Sequence, residues 1–354
     1  MRIAIDAGAL TSTHKTRGIG RYTRELLRGI KIKGIDAFKE DLRKYDLVHF
    51  TSFKPFEICL PFAKPKKTKF VLTIYDLIPL IYPKNYPPGV RGKIKFYINK
   101  YLIKRHVDLI ITISETSKKD ICRLLGVNPD KIKVIYLAPR DIFKPINNSK
   151  ALDTIKRKYD LPNNFVFYVG DVNYNKNIPT LIKACRKLKT PLVICGKQAK
   201  DIEALGMDIS SLRGPRDWFR YLFGKPHPEV AHYKELLTDF KYSKDVVRLG
   251  FVPDKELVAI YNLASVYVQP SLYEGFGLPV LEALACGCSV VASKIQAHVE
   301  IAQQAVSYFN PSDLKDMVKN IKNPPKAGNL PREYSWRKTA KETLRAYKEL
   351  LDNG

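Results

Sequence analysis

Short apolar runs recur along the chain, separated by longer stretches with helical spacing of their apolar residues. In the first half the runs are RIAID, DLVHF, KFVLTIYD, DLIITIS and KVIYLA; in the second they are NFVFYVGD, PLVICG, VVRLG, VYVQPS, SVVAS and SYF. Apolar runs of this length alternating with helices belong to strands buried on both faces, as in parallel sheets covered by helices. The pattern predicts an α/β protein of two doubly wound domains. A polar stretch from 141 to 164 divides the two series and reads as a linker with one short helix. Residues 1–150 are expected to form the first domain and 151–334 the second, with a closing helix over 335–354 that crosses back to the first. Two such domains facing each other leave a cleft at the carboxyl ends of their strands, where open α/β sheets bind ligands.

Composition narrows the class. The 354 residues are 45% hydrophobic and 27% charged, ordinary for a globular enzyme, and no run of about 18 apolar residues is present to cross a bilayer. The opening MRIAIDAG lacks the parts of a secretory signal, so a cytoplasmic location is expected. Six cysteines, Cys59, Cys122, Cys185, Cys195, Cys286 and Cys288, lie mostly in apolar segments without zinc-site spacing and read as reduced core residues. Charge is the unusual quantity. Lys and Arg number 61 against 35 Asp and Glu, a formal net charge of +26, which implies a polyanion or an anionic surface as partner. Nucleic acid, an acidic leaflet and an anionic nucleotide all satisfy it.

The stretch SLYEGFGLPVLEALACG, Ser271 to Gly287, chooses among them. Pro279 fits the first position of a helix, so the amides of Gly275, Phe276, Gly277 and Leu278 are expected at a helix N-terminus, the kind of end that binds phosphate. Glu274 lies at the lip of that site and Glu282 about one turn inside. Two carboxylates beside a phosphate repel it unless they accept hydrogen bonds from hydroxyls, and a nucleotide sugar carries hydroxyls on both its ribose and its hexose. The plain alternative makes Glu282 a first-turn acid favoured by the dipole and Glu274 a solvated loop residue. Gly18 and Gly20, in TRGIGRYTRE, stand between the first strand and its helix, where a loop can lie against a diphosphate; the third glycine of a dinucleotide fingerprint is absent. The six histidines show no catalytic arrangement, and His49 reads as a core residue.

The Ser271–Gly287 stretch resembles the acid-x7-acid signature of the retaining glycosyltransferases of family 4, glycosyltransferase group 1, which adopt the GT-B fold of two facing Rossmann-like domains. The resemblance extends upstream through VRLGFVPDKELVAIYNLASVYVQP, downstream through HVEIAQQAVSYFNPSD, and to YVGDVNYNKNIPTLIKA and MRIAIDAGAL…TRGIGRYTRELL, so that it covers nearly the whole chain. It implies that Glu274 contacts the donor sugar near its reacting face, that Glu282 holds the ribose hydroxyls, and that Gly275 to Leu278 serve phosphate and sugar. Lys176 corresponds to the family's phosphate-binding lysine, and Gly170 to the glycine ending its strand. Many relatives carry Arg next; here Asp171 follows, so one phosphate contact is missing or supplied elsewhere. In LTIYDLIPLIYP, Tyr75 stands where His is common, and Tyr75 and Asp76 are candidates for the sugar and acceptor pocket. The implied reaction is retaining, metal-independent transfer of a mannosyl- or glucosyl-type hexosyl unit from a nucleotide-diphosphate sugar, the co-substrate, to a glycan or lipid-linked acceptor, with no cofactor and no metal. The alternatives are another GT-B enzyme such as a nucleotide-sugar epimerase, and a nucleic-acid-binding protein, which the charge alone favours.

Two regions depart from the family pattern. The chain is short between Ile30 and Asp46, as if a strand-helix excursion were missing, and long between Lys197 and Asp245, where LRGPRDWFRYLFGKPHPEVAHYK interleaves aromatics and cations. The surplus charge collects at KPKKTK, Lys64 to Lys69, and at RGKIKFYINKYLIKR, Arg91 to Arg105. The second reads as a basic amphipathic helix, with Ile94, Tyr97, Ile98, Tyr101 and Leu102 as one apolar face beside a line of Lys93, Lys100 and Lys104. It predicts peripheral attachment to an anionic membrane on its cytoplasmic face; a core-packed helix with a basic back is the alternative.

Overall fold

The computed structural model describes residues 1–11, 18–202 and 228–352. It divides into two compact units, one formed by Met1–Pro83, Pro87–Ala138 and Tyr334–Gly354, the other by Lys84–Tyr86 and Pro139–Glu333. Every apolar run named above becomes a strand, and every strand pair is parallel.

The first unit carries β1 (Ile3–Ile5), β2 (Leu47–Phe50), β3 (Lys69–Ile74), β4 (Leu109–Thr112) and β5 (Ile132–Val134) in that spatial order. Among the described residues the other edge of β1 meets only an isolated bridge, Asp6 to Ile35. The short stretch after Ile30 thus leaves one residue of pairing where a longer excursion would add a strand. Leu47, Val71, Ile111 and Ile135 on one face of the sheet pack with Ala346 and Tyr347 of the closing helix Trp336–Asp352. His49 fixes that helix from within the sheet: its Nδ1 pairs with the Tyr347 hydroxyl at 2.5 Å and its Nε2 with Thr73 Oγ1 at 2.7 Å. It is a satisfied core residue, as its setting in β2 suggests.

The second unit holds β6 (Val166–Val169), β7 (Leu192–Cys195), β8 (Val246–Gly250), β9 (Val266–Gln269), β10 (Val290–Ser293) and β11 (Ser307–Phe309) in the order β11-β10-β9-β6-β7-β8. The chain runs outward from β6 through β7 and β8, then returns to the other side of β6 with β9. The order therefore reverses between β6 and β9, and such a reversal, at the carboxyl ends of the strands, is where open α/β sheets bind ligands.

The boundary lies earlier than residue 150. Residues 139–150 belong to the second unit because Arg140 pairs with Asp254 at 2.6 Å, Phe143 stacks edge-on against Tyr261, and the Ile146 amide donates to Asn262 Oδ1. Gly18 and Gly20 also differ from expectation: both lie in the first turn of the helix Gly18–Ile30, not in the loop before it. Of the long stretch after Lys197, residues 203–227 lie outside the described residues; its remainder forms the helix Pro228–Lys241, which buries His232, Tyr233, Leu236 and Phe240.

The helix Gly89–His106 corrects a further expectation. Leu102 is buried in the first unit's core and Ile98 packs against it, so these two do not share a face with Ile94, Tyr97 and Tyr101, which stand in water. Asn99, buried, ties the helix to the preceding loop by donating to the carbonyls of Glu57 and Pro55 while accepting from the Cys59 amide. In the KPKKTK stretch, Lys64 is taken up by an ion pair with Asp108, and Lys66 and Lys67 are exposed. Among the described residues no helix is long and apolar enough to cross a membrane.

Candidate active site

Two loops meet at the switch point. One leaves β6 and carries Asn173 to Asn177; the other leaves β9 and carries Pro270 to Gly277. They are stitched together by one backbone bond and two side-chain bonds: the Leu272 amide donates to the Asn175 carbonyl at 2.7 Å, Asn175 Nδ2 to the Tyr273 carbonyl at 3.1 Å, and Asn177 Nδ2 to the Pro270 carbonyl at 3.2 Å. Asn177 holds a left-handed conformation, φ 57°, which its short polar side chain tolerates. That turn ends the β6 loop and starts the helix Ile178–Leu188.

The stitching brings Lys176 and Glu274 together across 98 residues of sequence. Lys176 Nζ donates to Glu274 Oε1 at 2.6 Å. The same oxygen accepts from Ser271 Oγ at 2.7 Å and Gln269 Nε2 at 3.0 Å, and Gln269 is itself oriented by the Tyr267 hydroxyl. Burial pushes the Glu274 carboxyl up, but the Lys176 ammonium and the Ser271 hydroxyl outweigh it and hold the group below its ordinary value. Glu274 is thus an ionised, oriented, nearly buried carboxylate beside a cation.

After Glu274 the chain turns through Gly277, φ 106°, into the helix Leu278–Ala285, with Pro279 in its first turn. A β-carbon at Gly277 would lie 2.9 Å from His298 Cδ2, so both conformation and space demand glycine. Glu282 lies in this helix, 2% exposed, and receives the Tyr261 hydroxyl at 3.4 Å. Gly170 ends β6 with φ 147°, and Tyr168 donates its hydroxyl to the carbonyl of Asp171 at 2.6 Å. Lys176, Glu274, Gly275 to Leu278, Glu282 and Gly170 therefore all belong to the second unit's switch point.

The remaining candidates lie in the first unit. Tyr75 donates its hydroxyl to the Thr51 carbonyl at 2.7 Å and packs edge-on against Tyr22, so its one proton is spent inside the unit instead of being available to a sugar. Asp76 Oδ1 accepts the Ile78 amide at 3.1 Å.

His298 escaped the sequence reading. It sits in the helix Gln296–Ala302, fully buried beneath Gly277, and its Nδ1 contacts the Ser293 carbonyl at 3.0 Å. A carbonyl only accepts, so the proton is on Nδ1. Ser293 Oγ in turn donates to the Ser271 carbonyl at 2.6 Å, tying this helix to the Glu274 loop. Burial drives the His298 ring down to about 4 despite the opposing pull of Glu274, and burial drives His49 down to about 3. Both rings are neutral at pH 7. The unfolded chain takes up these protons near 6.5 while the folded chain refuses them, so stability is lost as pH falls from about 6.5 to 4. Thermal melts across that range should show the loss, and His298→Leu should flatten part of it.

The profile of the family described as "Glycosyl transferases group 1" matches residues 152–343, more than half of the chain, and that of "Glycosyltransferase Family 4" matches residues 16–138. The chain belongs to the group 1 glycosyltransferases. Among its relatives, the serotype-specific mannosyltransferase WbdA of Escherichia coli is 28% identical over 329 residues, covering 87% of this chain and 37% of that protein. The chain thus spans little more than a third of that relative's length. The O-antigen chain mannosyltransferase B of Escherichia coli is 27% identical over 310 residues, 82% of this chain and 73% of that one. Anabaena Alr3699/HepE, solved in complex with UDP and glucose, superposes with a TM-score of 0.66 over 98% of each chain at 14% identity, a likeness of fold. The fold of this glycosyltransferase is GT-B, with two parallel-sheet α/β units.

Proposed function

We propose that this glycosyltransferase is a retaining, metal-independent hexosyltransferase that moves a mannosyl- or glucosyl-type unit from a nucleoside-diphosphate sugar to a glycan or lipid-linked acceptor. The observation that carries the reading is the Lys176–Glu274 pair where the strand order reverses between β6 and β9, beside the glycine turn that opens the helix Leu278–Ala285. The diphosphate lies against the amides of Gly275 to Leu278, and Lys176 neutralises the charge that grows on it as the bond from the sugar's C1 breaks. Glu274 faces the reacting sugar, and its negative charge steadies the positive character developing at C1. Glu282 holds the ribose hydroxyls. The departing phosphate oxygen takes the acceptor's proton on the face where the new C1–O bond forms, so configuration is kept. The mannosyltransferase names of the relatives support the hexosyl class.

In this reading the second unit binds the donor and the first unit, with Asp76, serves the acceptor side. The enzyme works in the cytoplasm, meeting a lipid-linked acceptor at an anionic leaflet. Nucleic acid is not a partner, and no cofactor beyond the nucleotide sugar takes part. The test is thermal shift against a panel of nucleotide sugars: a donor at 100 times its dissociation constant adds about 2.7 kcal/mol, and no shift with any of them would sink the reading. A sugar epimerised without acceptor would point instead to an epimerase. Among the described residues no three or more His, Cys, Asp or Glu side chains gather to share a cation. Transfer should persist in EDTA; loss of activity there, restored by magnesium or manganese, would overturn the metal-free mechanism.

A further inference from the structure

The helix Gly89–His106 presents an unusual outer face. Val90, Ile94, Tyr97 and Tyr101 are 66%, 55%, 69% and 64% exposed. At roughly 100° per residue these four fall within about 60° of arc, a single stripe about 16 Å long. This is not the face that packs inward, which consists of Gly92, Phe96, Asn99, Leu102 and Ile103. Water-facing stripes of large apolar side chains mark contact surfaces. The same wheel places Arg91 and Arg105 along one edge of the stripe and Lys93 and Lys104 along the other, all exposed. The helix contains six Lys or Arg residues and no carboxylate.

We propose that this face is where the enzyme docks on an anionic lipid leaflet, with Val90, Ile94, Tyr97 and Tyr101 entering the headgroup layer while the flanking cations meet lipid phosphates. Charge decides the occupant. A second copy of the helix would bring six cations against six across a low-dielectric contact, whereas an anionic leaflet neutralises them. Tyrosine rings suit the boundary between headgroups and acyl chains, and the long cationic side chains can reach outward from a helix lying flat in it. Lys100 takes less part than its place in sequence suggests, since its Nζ turns back to the Leu124 carbonyl at 3.5 Å. The inference deepens the membrane element of the proposed function and does not depend on the identity of the sugar.

The experiment is flotation of the full-length protein with phosphatidylcholine vesicles, with and without phosphatidylglycerol. Wild type should float with the anionic vesicles and retain part of its binding as salt rises. The triple substitution Ile94→Ser, Tyr97→Ser and Tyr101→Ser, confined to exposed positions, should lower partitioning about tenfold or more and abolish the salt-resistant part. Lys93→Glu with Lys104→Glu should instead remove the low-salt capture. A Tyr97→Trp variant should show blue-shifted emission quenched by brominated acyl chains. Unchanged anionic binding in the serine variant, no binding at low salt, or a dimer that the serine variant dissolves would each overturn the proposal. Flotation needs neither donor nor acceptor. Vesicle binding without any glycosyl transfer therefore sinks only the transferase reading, and intact transfer to a water-soluble acceptor without vesicle binding sinks only this one.

Discussion

Glu274→Gln lowers the turnover of glycosyl transfer about 10²- to 10³-fold and changes donor affinity only a few-fold. The substitution keeps shape and removes charge. The amide oxygen can still accept from Ser271 Oγ and Gln269 Nε2, which hold Oε1 in the native site, so the loop retains its internal bonds. In the proposed mechanism what disappears is the negative charge beside the reacting sugar, needed most when C1 carries positive character. The loss therefore falls on kcat. Glu282→Ala should behave differently in kind, weakening donor binding with a smaller effect on turnover, because that carboxylate is assigned to the ribose. Steady-state kinetics with separate kcat and KM distinguish the two, and near-normal turnover in Glu274→Gln would remove Glu274 from the reacting centre.

Lys176→Met has two effects of comparable weight. Transfer should slow roughly 10²-fold or more, the scale for loss of one preorganised electrostatic partner of a leaving group. Stability should also fall, because Glu274, only 8% exposed, then lacks the ammonium at 2.6 Å. Breaking a buried pair from one side costs about 3–5 kcal/mol, a figure to be scaled down here because the lysine keeps some contact with water. Without its cation the Glu274 carboxyl should titrate higher than in wild type, because burial then meets less opposition, so the variant's deficit relative to wild type should narrow as pH falls and the group takes up a proton. The double variant Lys176→Met with Glu274→Gln should regain most of the stability and none of the activity. Recovery of both would mean that the pair is structural only.

The architecture was legible because parallel strands buried on both faces leave nearly unbroken apolar runs, and each of those runs became a strand. Glu274 stood out in the sequence from its place before a glycine turn, and Lys176 only through the family resemblance. Their ion pair was not legible, because it depends on the Leu272 amide and the Asn175 and Asn177 side-chain amides joining the two loops, bonds that carry no spacing signal. His298 was hidden for a related reason. A lone histidine in HVEIA has no partner nearby in sequence except Ser293, and its place beneath Gly277 comes from how the helix Gln296–Ala302 packs. A serine five residues before the histidine was the available clue. The helix Gly89–His106 misled through composition: apolar residues surround most of its circumference, and periodicity cannot tell Leu102, which is buried, from Tyr101, which is not. The boundary shifted because Arg140, Phe143 and Ile146, embedded in a polar stretch, find their partners in the second unit.

The switch point between β6 and β9 is proposed to transfer a hexosyl unit from a nucleotide sugar with its configuration kept. The measurement is proton NMR of the anomeric centre in the first turnovers, using the nucleotide sugar that gives the largest thermal shift, a lipid-linked or glycan acceptor, and the Glu274→Gln variant as control. A new glycosidic bond with the same anomeric configuration as the donor should form with wild type and be nearly absent with the variant. An inverted product, or equal product from both proteins, would contradict the proposal.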